Sequence, residues 1–519
     1  MRVGVCTLFS FRPHVEHAAY ASALLESAGH ELYGLTCDAA VAHCYSRDLR
    51  GFGRLRACST CVAGGLRTYP VPRVTGMDRS IRGSLDAATR HRLTVSSVAV
   101  RIRTEPSTEL KESEFLQAQQ SLYEPIEIAY GNARRWIERS NLDAVLCFNG
   151  RMDLTAAVVT ACEHAGVPYV TLERPWFGHG LHLVPNGNCL SLGTVGQFCD
   201  EYRNKPLTDS QSRLAGRMAA ERFLQRNLLE WRVYNPESQR ADWPGRGVGE
   251  RVLILPSSRN EFEGHPDRMC PWPDYTWAMD RALDEIGASG ADCVLRCHPS
   301  WAEKVGRNTG WRCERHYREW GGRRGFTVIP SADKSSTYDL IDACDLVLVN
   351  GSSAGMEAAL KGKRVVSVGR CAWERAGFSV QIHDEQSIRR LRQSSVHDPQ
   401  ATVRAALRFM YTHARRYSQY VQYVRSLTTT RYDYFAGADP DQLCRALFVG
   451  QLSPDDPKTA SDDLKEAPVV DLVRKGAWLD LIQWDEQAPA RAKLTVRRRH
   501  GLGWIDRLRQ RLPRGDRMG

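Results

Sequence analysis

Two doubly wound α/β lobes facing a cleft, followed by a basic C-terminal extension, is the fold class that this 519-residue sequence predicts. Three observations carry it. Residues 2–36 run apolar strand, helical period, apolar strand, as a parallel sheet with crossover helices requires. The same alternation restarts at Arg251-Val-Leu-Ile-Leu-Pro256 and continues to Val368. Between the two blocks lies a Pro/Gly-rich stretch, Asn235-Pro-Glu-Ser and Trp243-Pro-Gly-Arg-Gly, which reads as a linker. The expected division is residues 1–240 as the first lobe with a Cys-rich insertion, 250–427 as the second lobe, and 428–519 as the extension.

Composition narrows the function classes. Hydrophobic content of 42% and aromatic content of 9% suit a globular chain. No apolar run reaches the length needed to span a bilayer, and MRVGVCTLFSF reads as a buried strand, interrupted too early by Arg12 and His14 to be a signal peptide. Many of the sixteen cysteines sit singly among apolar residues, which fits a reducing, cytoplasmic compartment. The net charge is +11, yet residues 491–519 alone hold ten Lys and Arg against two Asp. The excess basicity therefore belongs to the tail, and a nucleic-acid-binding face on the body is not expected.

In the first block, Cys37, Cys44, Cys58 and Cys61 are spaced C-x6-C-x13-C-x2-C. Four thiolates could hold a structural Zn²⁺, with His43 as a substitute ligand; an iron–sulfur site or plain reduced cysteines remain open. Residues 110–140 read as one long helix or a pair broken at Pro125. The strand Asp143–Phe148 ends in Asn149-Gly150-Arg151, and the strand Tyr169–Leu172 ends in Glu173-Arg174. Open α/β sheets place ligands at such strand ends. Glu173 is the expected catalytic base and Asp153 the reserve, while Arg151 and Arg174 suit carboxylate groups through their planar forks.

In the second block the strand Cys293–Arg296 leads into His298-Pro299, where the proline biases His298 away from helix. The stretch Leu346–Val349, Asn350-Gly351-Ser352-Ser353, then a small-residue helix with Glu357, gathers N–H groups and hydroxyls around one point. Read locally, Ser352-Ser353 is a helix cap or an anion site, and Glu357 accepts ribose hydroxyls or braces the turn. After the strand at residues 251–256, Ser257, Ser258, Asn260 and Glu261 form a loop expected to line the cleft.

HPSW at 298–301 and SSTYDLIDACDLVLVNGSSAGMEAALKGKRVVSVG at 335–369 resemble the capsule polysaccharide biosynthesis glycosyltransferases, a Kdo-transferase-like family distantly similar to bacterial sialyltransferases. The resemblance covers residues 250–370 and extends loosely to FNGR and LER in the first block. It implies a GT-B fold, a nucleotide-activated sugar donor (CMP-linked and acidic), a glycan or lipid-linked acceptor, and inverting transfer. His298 and Ser352-Ser353 would hold the nucleotide phosphate, with no cofactor required for catalysis. The acidic motif that carries the base in sialyltransferases has no clear counterpart; Glu261-Phe-Glu263-Gly264 has its composition but falls in the second block. The same frame also serves polyol-phosphate transfer, UDP-sugar epimerisation and non-catalytic nucleotide-sugar binding. Finally, GLGWIDRLRQRLPR places Trp504, Ile505, Leu508 and Leu512 on one helical face among arginines, as in segments that lie on anionic membrane surfaces. A peripheral position on the inner face of the cytoplasmic membrane would follow; the alternative is a helix docked on the protein itself.

Overall fold

Each lobe is built on one mostly parallel sheet. The structure, a computed structural model, describes residues 1–227, 230, 238–269, 271–391, 397–484 and 490–511. The first sheet contains β1 (Arg2–Cys6), β2 (Glu31–Thr36), β3 (Arg73–Gly76), β4 (Ala144–Phe148), β5 (Tyr169–Glu173) and β6 (His182–Pro185). Its order is β3-β2-β1-β4-β5-β6, parallel except for β6, which runs antiparallel to β5. The second contains β7 (Val252–Leu255), β8 (Cys293–Arg296), β9 (Thr327–Ile329), β10 (Leu346–Val349), β11 (Arg364–Ser367) and β12 (Val380–Gln381). Its order, β12-β11-β10-β7-β8-β9, is that of the first sheet, and all its pairings are parallel.

These strands are fully apolar because helices cover both faces: β4, β7 and β10 are buried at every position. In each sheet the strand order reverses beside the first strand, between β1 and β4 and between β7 and β10. A crevice opens at such a reversal, at the carboxyl ends of the strands. It is bridged in the second lobe by Asn350, whose side chain accepts from Ser257 N–H (2.6 Å) and donates to Ser257 O (2.9 Å).

The cores divide the chain differently from the sequence boundaries. The helix Asp209–Phe223, expected in the first lobe, packs in one cluster with β7, β10 and the helices Pro399–Tyr411 and Ala467–Arg474 of the second. Conversely, Tyr420, Val424, Tyr434, Leu443 and Leu447 pack against β1, β4 and β5. The chain thus crosses back to the first lobe after Tyr417, and much of the expected extension belongs there. A three-stranded sheet of β13 (Val424–Thr428), β14 (Arg431–Phe435) and β15 (Lys493–Leu494) forms on that side.

One open choice is settled and one expectation changes. Residues 113–140 form one long helix rather than a pair, running through Pro125. Its interior proline costs about 3 kcal/mol, offset by burial of Leu122, Pro125, Ile126 and Ala129. The acidic segment 455–466, expected to be mobile, is tied down. Asp455 accepts from Tyr420 N–H at 2.7 Å, Gln211 donates to Asp456 at 2.8 Å, and the buried Glu466 pairs with Arg408 at 2.5 Å. A carboxylate reads as solvated in sequence, but here three of them terminate buried donors.

Candidate active site in the interlobe cleft

A cavity of about 540 Å³ lies between the lobes. From the second lobe it is lined at the carboxyl ends of β7 (Leu255–Ser257), β8 (Arg296, His298, Pro299) and β10 (Gly351–Ser353). From the other side come Trp176, His182, Cys189 and Ser191, with His413 and Tyr417 from the turns that continue the helix Pro399–Tyr411 just before the chain returns to the first lobe.

His298 is oriented by its own chain. Its Nδ1 accepts from the Ser300 N–H at 3.2 Å and lies 2.8 Å from Ser300 Oγ. A backbone N–H can only donate, so the neutral ring carries its proton on Nε2. Behind it Trp301 is fully buried, stacks on Tyr317 and donates from its indole to Ser258 Oγ at 2.6 Å. Ser258 therefore supports the motif from beneath, while Ser257 lines the cavity.

Gly351 has φ +87, a left-handed conformation in which a side chain is strained. That turn delivers Ser352 and Ser353 to the cavity wall. Ser352 Oγ accepts from Ala354 N–H, the first of the seven-residue helix Ala354–Leu360, at 3.3 Å and lines the cavity, while Ser353 is the N-cap residue. Glu357 braces: it accepts from Arg222 at 2.6 Å and Tyr338 OH at 3.4 Å. Arg222 in turn contacts Glu230 at 2.7 Å.

The charge balance of the lining follows. Arg222 is matched by Glu230 and Glu357. Arg268 and Arg296 are held through carbonyl oxygens, Arg268 by Leu190 O at 2.9 Å and Arg296 by Pro330 O and, at 2.7 Å, Asp333 O. Those two guanidinium groups stand with Glu261, also in the lining. Burial lowers the lining His413 to about 3, burial and then His413 push the lining His182 well down, and outside the lining burial, then Arg268, lowers His265 to about 4.

The first-lobe candidates lie behind this wall. Glu173 contacts His14 Nε2 and accepts from Asn149 Nδ2 at 3.0 Å; the same Asn149 amide reaches Cys189 Sγ, which lines the cavity. Burial would raise the Glu173 carboxyl, but His14, Asn149 and Arg174 outweigh it and hold the carboxyl below its ordinary value. Its side chain keeps 23% exposure. Asp153 is a different kind of group. It is fully buried, accepts from Tyr45 N–H (2.6 Å) and Leu154 N–H (2.7 Å), and is pushed up to about 7 by burial. It joins two helix starts inside the first lobe and cannot meet an acceptor.

Arg151 donates to Ser96 Oγ at 2.7 Å and reaches Asn260 O of the other lobe at 3.5 Å, so it bridges lobes. Arg174 is buried and donates to Pro175 O at 3.3 Å. Asn260 is buried against Cys313. None of these three lines the cavity.

Cys37, Cys44, Cys58 and Cys61 line a separate cavity of about 50 Å³ at the ends of β1 and β2. Among the described residues no group of three or more His, Cys, Asp or Glu is placed to hold a metal ion. The four thiols share that cavity wall without forming such a group, and burial raises Cys37 to about 11 and pushes Cys44 and Cys61 up.

Arg222, Arg268, Arg296, His182 and His413 escaped sequence reading. Arg296, ending an apolar strand two residues before His298, carried a usable signal; the others come from distant helices and loops.

No family model and no curated protein matches the chain. Among solved structures it is similar to the β-Kdo 2,4 transferase KpsC of Thermosulfurimonas dismutans, at 16% identity and a TM-score of 0.32 over 57% of this chain and 82% of that one. It is also similar to a putative UDP-N-acetylglucosamine 2-epimerase from Listeria monocytogenes (11%, TM-score 0.26, 89% and 99%) and to MurG of Acinetobacter baumannii (12%, 0.24, 79% and 94%). Likeness at this level assigns no activity. The architecture is decided by the chain's own topology: two sheets of identical strand order, a cleft between them, and a C-terminal return to the first lobe. The fold is GT-B. The cavity sits at the carboxyl ends of the second lobe's strands, beside the reversal of strand order.

Proposed function

We propose that the chain is a glycosyltransferase of bacterial surface-polysaccharide assembly, moving a sugar from a nucleotide donor to a glycan or lipid-linked acceptor. The observation that carries this reading is the convergence of His298, the Gly351–Ser353 turn, Arg268 and Arg296 on one 540 Å³ interlobe cavity at a strand-order reversal. Departure of the nucleotide leaves negative charge on its phosphate. An Nε2–H, two serine hydroxyls and two guanidinium groups suit that charge without a cofactor. The carbonyl-held arginines also favour an acidic sugar, consistent with a CMP-activated donor. Glu173, paired with His14 behind the wall formed by Cys189 but keeping 23% exposure, is the carboxylate assigned to take the acceptor hydroxyl's proton in an inverting displacement, with the acceptor approaching from the first-lobe side.

The test is a thermal-shift screen of the full chain against CMP, UDP, GDP and CDP. One nucleotide should stabilise it, with CMP expected, and His298→Ala should abolish the shift. No shift from any of the four sinks the proposal. Glu173→Gln should keep the shift while lowering transfer by about 10²–10⁴-fold. Unchanged transfer would remove Glu173 as the base. A metal chelator should leave turnover unaltered.

A further inference from the structure

The C-terminal segment does not trail from the body; it is stitched to the first lobe. β15 pairs with β14, and then Arg498 donates to Ala63 O at 2.6 Å and Thr68 Oγ1 at 3.3 Å. Arg499 donates from its backbone to Thr68 O at 2.7 Å and from its side chain to Tyr69 O and Val71 O. Leu502 N–H returns to Arg499 O at 3.0 Å, and the helix Gly503–Arg511 begins. These contacts set its start beside the C-terminal end of the helix Arg54–Gly64.

Both helices expose apolar side chains at helical spacing. On the tail helix Trp504 and Leu508, four residues apart, are 53% and 51% exposed. On the other, Leu55 is 85% and Val62, two turns on, 38% exposed, with Phe52 at 39% just before it. Arginines frame them: Arg54, Arg56, Arg497, Arg499 and Arg507 are all exposed, and the Arg56 guanidinium lies 4.1 Å from the Phe52 ring centre. No helix is long and apolar enough to cross a membrane among the described residues.

We propose that this face, the helix Gly503–Arg511 together with residues 52–62, docks on an anionic phospholipid surface. Phosphate-bearing headgroups meet the arginines while Trp504, Leu508, Leu55 and Phe52 enter the acyl boundary. A nucleic acid would satisfy the arginines, but it offers no apolar phase to Leu55 and Leu508. The surface lies on the lobe opposite the nucleotide motifs and stands whether or not the nucleotide reading holds. If both hold, it brings the acceptor lobe to a bilayer.

The test is co-sedimentation of the full chain with vesicles of phosphatidylcholine alone and of phosphatidylcholine with phosphatidylglycerol. Binding should require phosphatidylglycerol and weaken when salt is raised to ~0.5 M, where screening is short-ranged. Trp504→Asp with Leu508→Asp, and separately Leu55→Asp, should each cut binding about tenfold without changing thermal unfolding, since all three side chains are exposed. Absence of binding to anionic vesicles overturns the proposal. So do equal binding to phosphatidylcholine alone, pelleting without vesicles, or full binding by both variants.

Discussion

Glu357 and Arg222 illustrate how a residue's role is set by what reaches it. Arg222 is 3% exposed at its side chain and serves two carboxylates, Glu230 and Glu357, that line the cavity beside it. Replacing it by Met leaves both carboxylates without their cation, and a broken buried pair costs about 3–5 kcal/mol. Chemical denaturation of Arg222→Met should show a loss of that size, and Glu357→Gln a smaller one. His413 gives a pH signature. Burial holds it at about 3 against an ordinary 6.5, so below 6.5 the unfolded chain binds a proton that the folded chain refuses. The stability it permits is full above 6.5 and drains as pH falls toward 3. His413→Phe should flatten the fall in denaturation midpoint between pH 7 and 5; an unchanged slope would assign the acid sensitivity elsewhere.

At the scale of elements, the helix Ser113–Ser140 sets propensity against packing. An Ala in place of a mid-helix Gly ordinarily gains about 1 kcal/mol. At Gly131, however, a Cβ would lie 2.5 Å from Gly83 N and 2.6 Å from Arg82 C, both backbone atoms that cannot swing aside. Overpacking costs about 1–3 kcal/mol, so Gly131→Ala should lower the thermal midpoint despite better helix propensity. A rise would show that residues 82–83 move freely. The same contact explains why a Gly remains in a helix that already tolerates Pro125.

The two lobes are coupled through a loop of the first. Arg103 donates to Ser300 O at 3.0 Å and Glu303 O at 2.9 Å, and Glu105 accepts from Arg259 N–H at 3.0 Å. Since Ser300 N–H orients His298, Arg103 acts on the His298-Pro299 turn from the first lobe. Charged hydrogen bonds are worth about 1.5–3 kcal/mol. If half of that is felt at His298, Arg103→Met should weaken nucleotide binding about tenfold by calorimetry. Undiminished affinity would confine Arg103 to holding the lobes together.

The sequence by itself determined the central strands of both sheets and the motifs at their ends, because period and turn chemistry are local, but not the edge strands β3, β6 and β12 or the antiparallel sheet of β13, β14 and β15. The alternation before and after residue 250 already implied two sheets, and His298-Pro299 and Gly351–Ser353 could be placed at strand ends because Pro restricts the preceding residue and Gly permits a left-handed turn. Tertiary structure alone decided which lobe owns each C-terminal helix. Amphipathic helices such as Asp209–Phe223 carry an apolar face but no address for it. It also decided that Asp153 is sealed in a core while Glu173 keeps partial exposure, two acidic residues that look alike in sequence and differ only in what encloses them. And it drew Arg222, Arg268 and His413 to the cavity from positions far apart in the chain, where no spacing could have linked them.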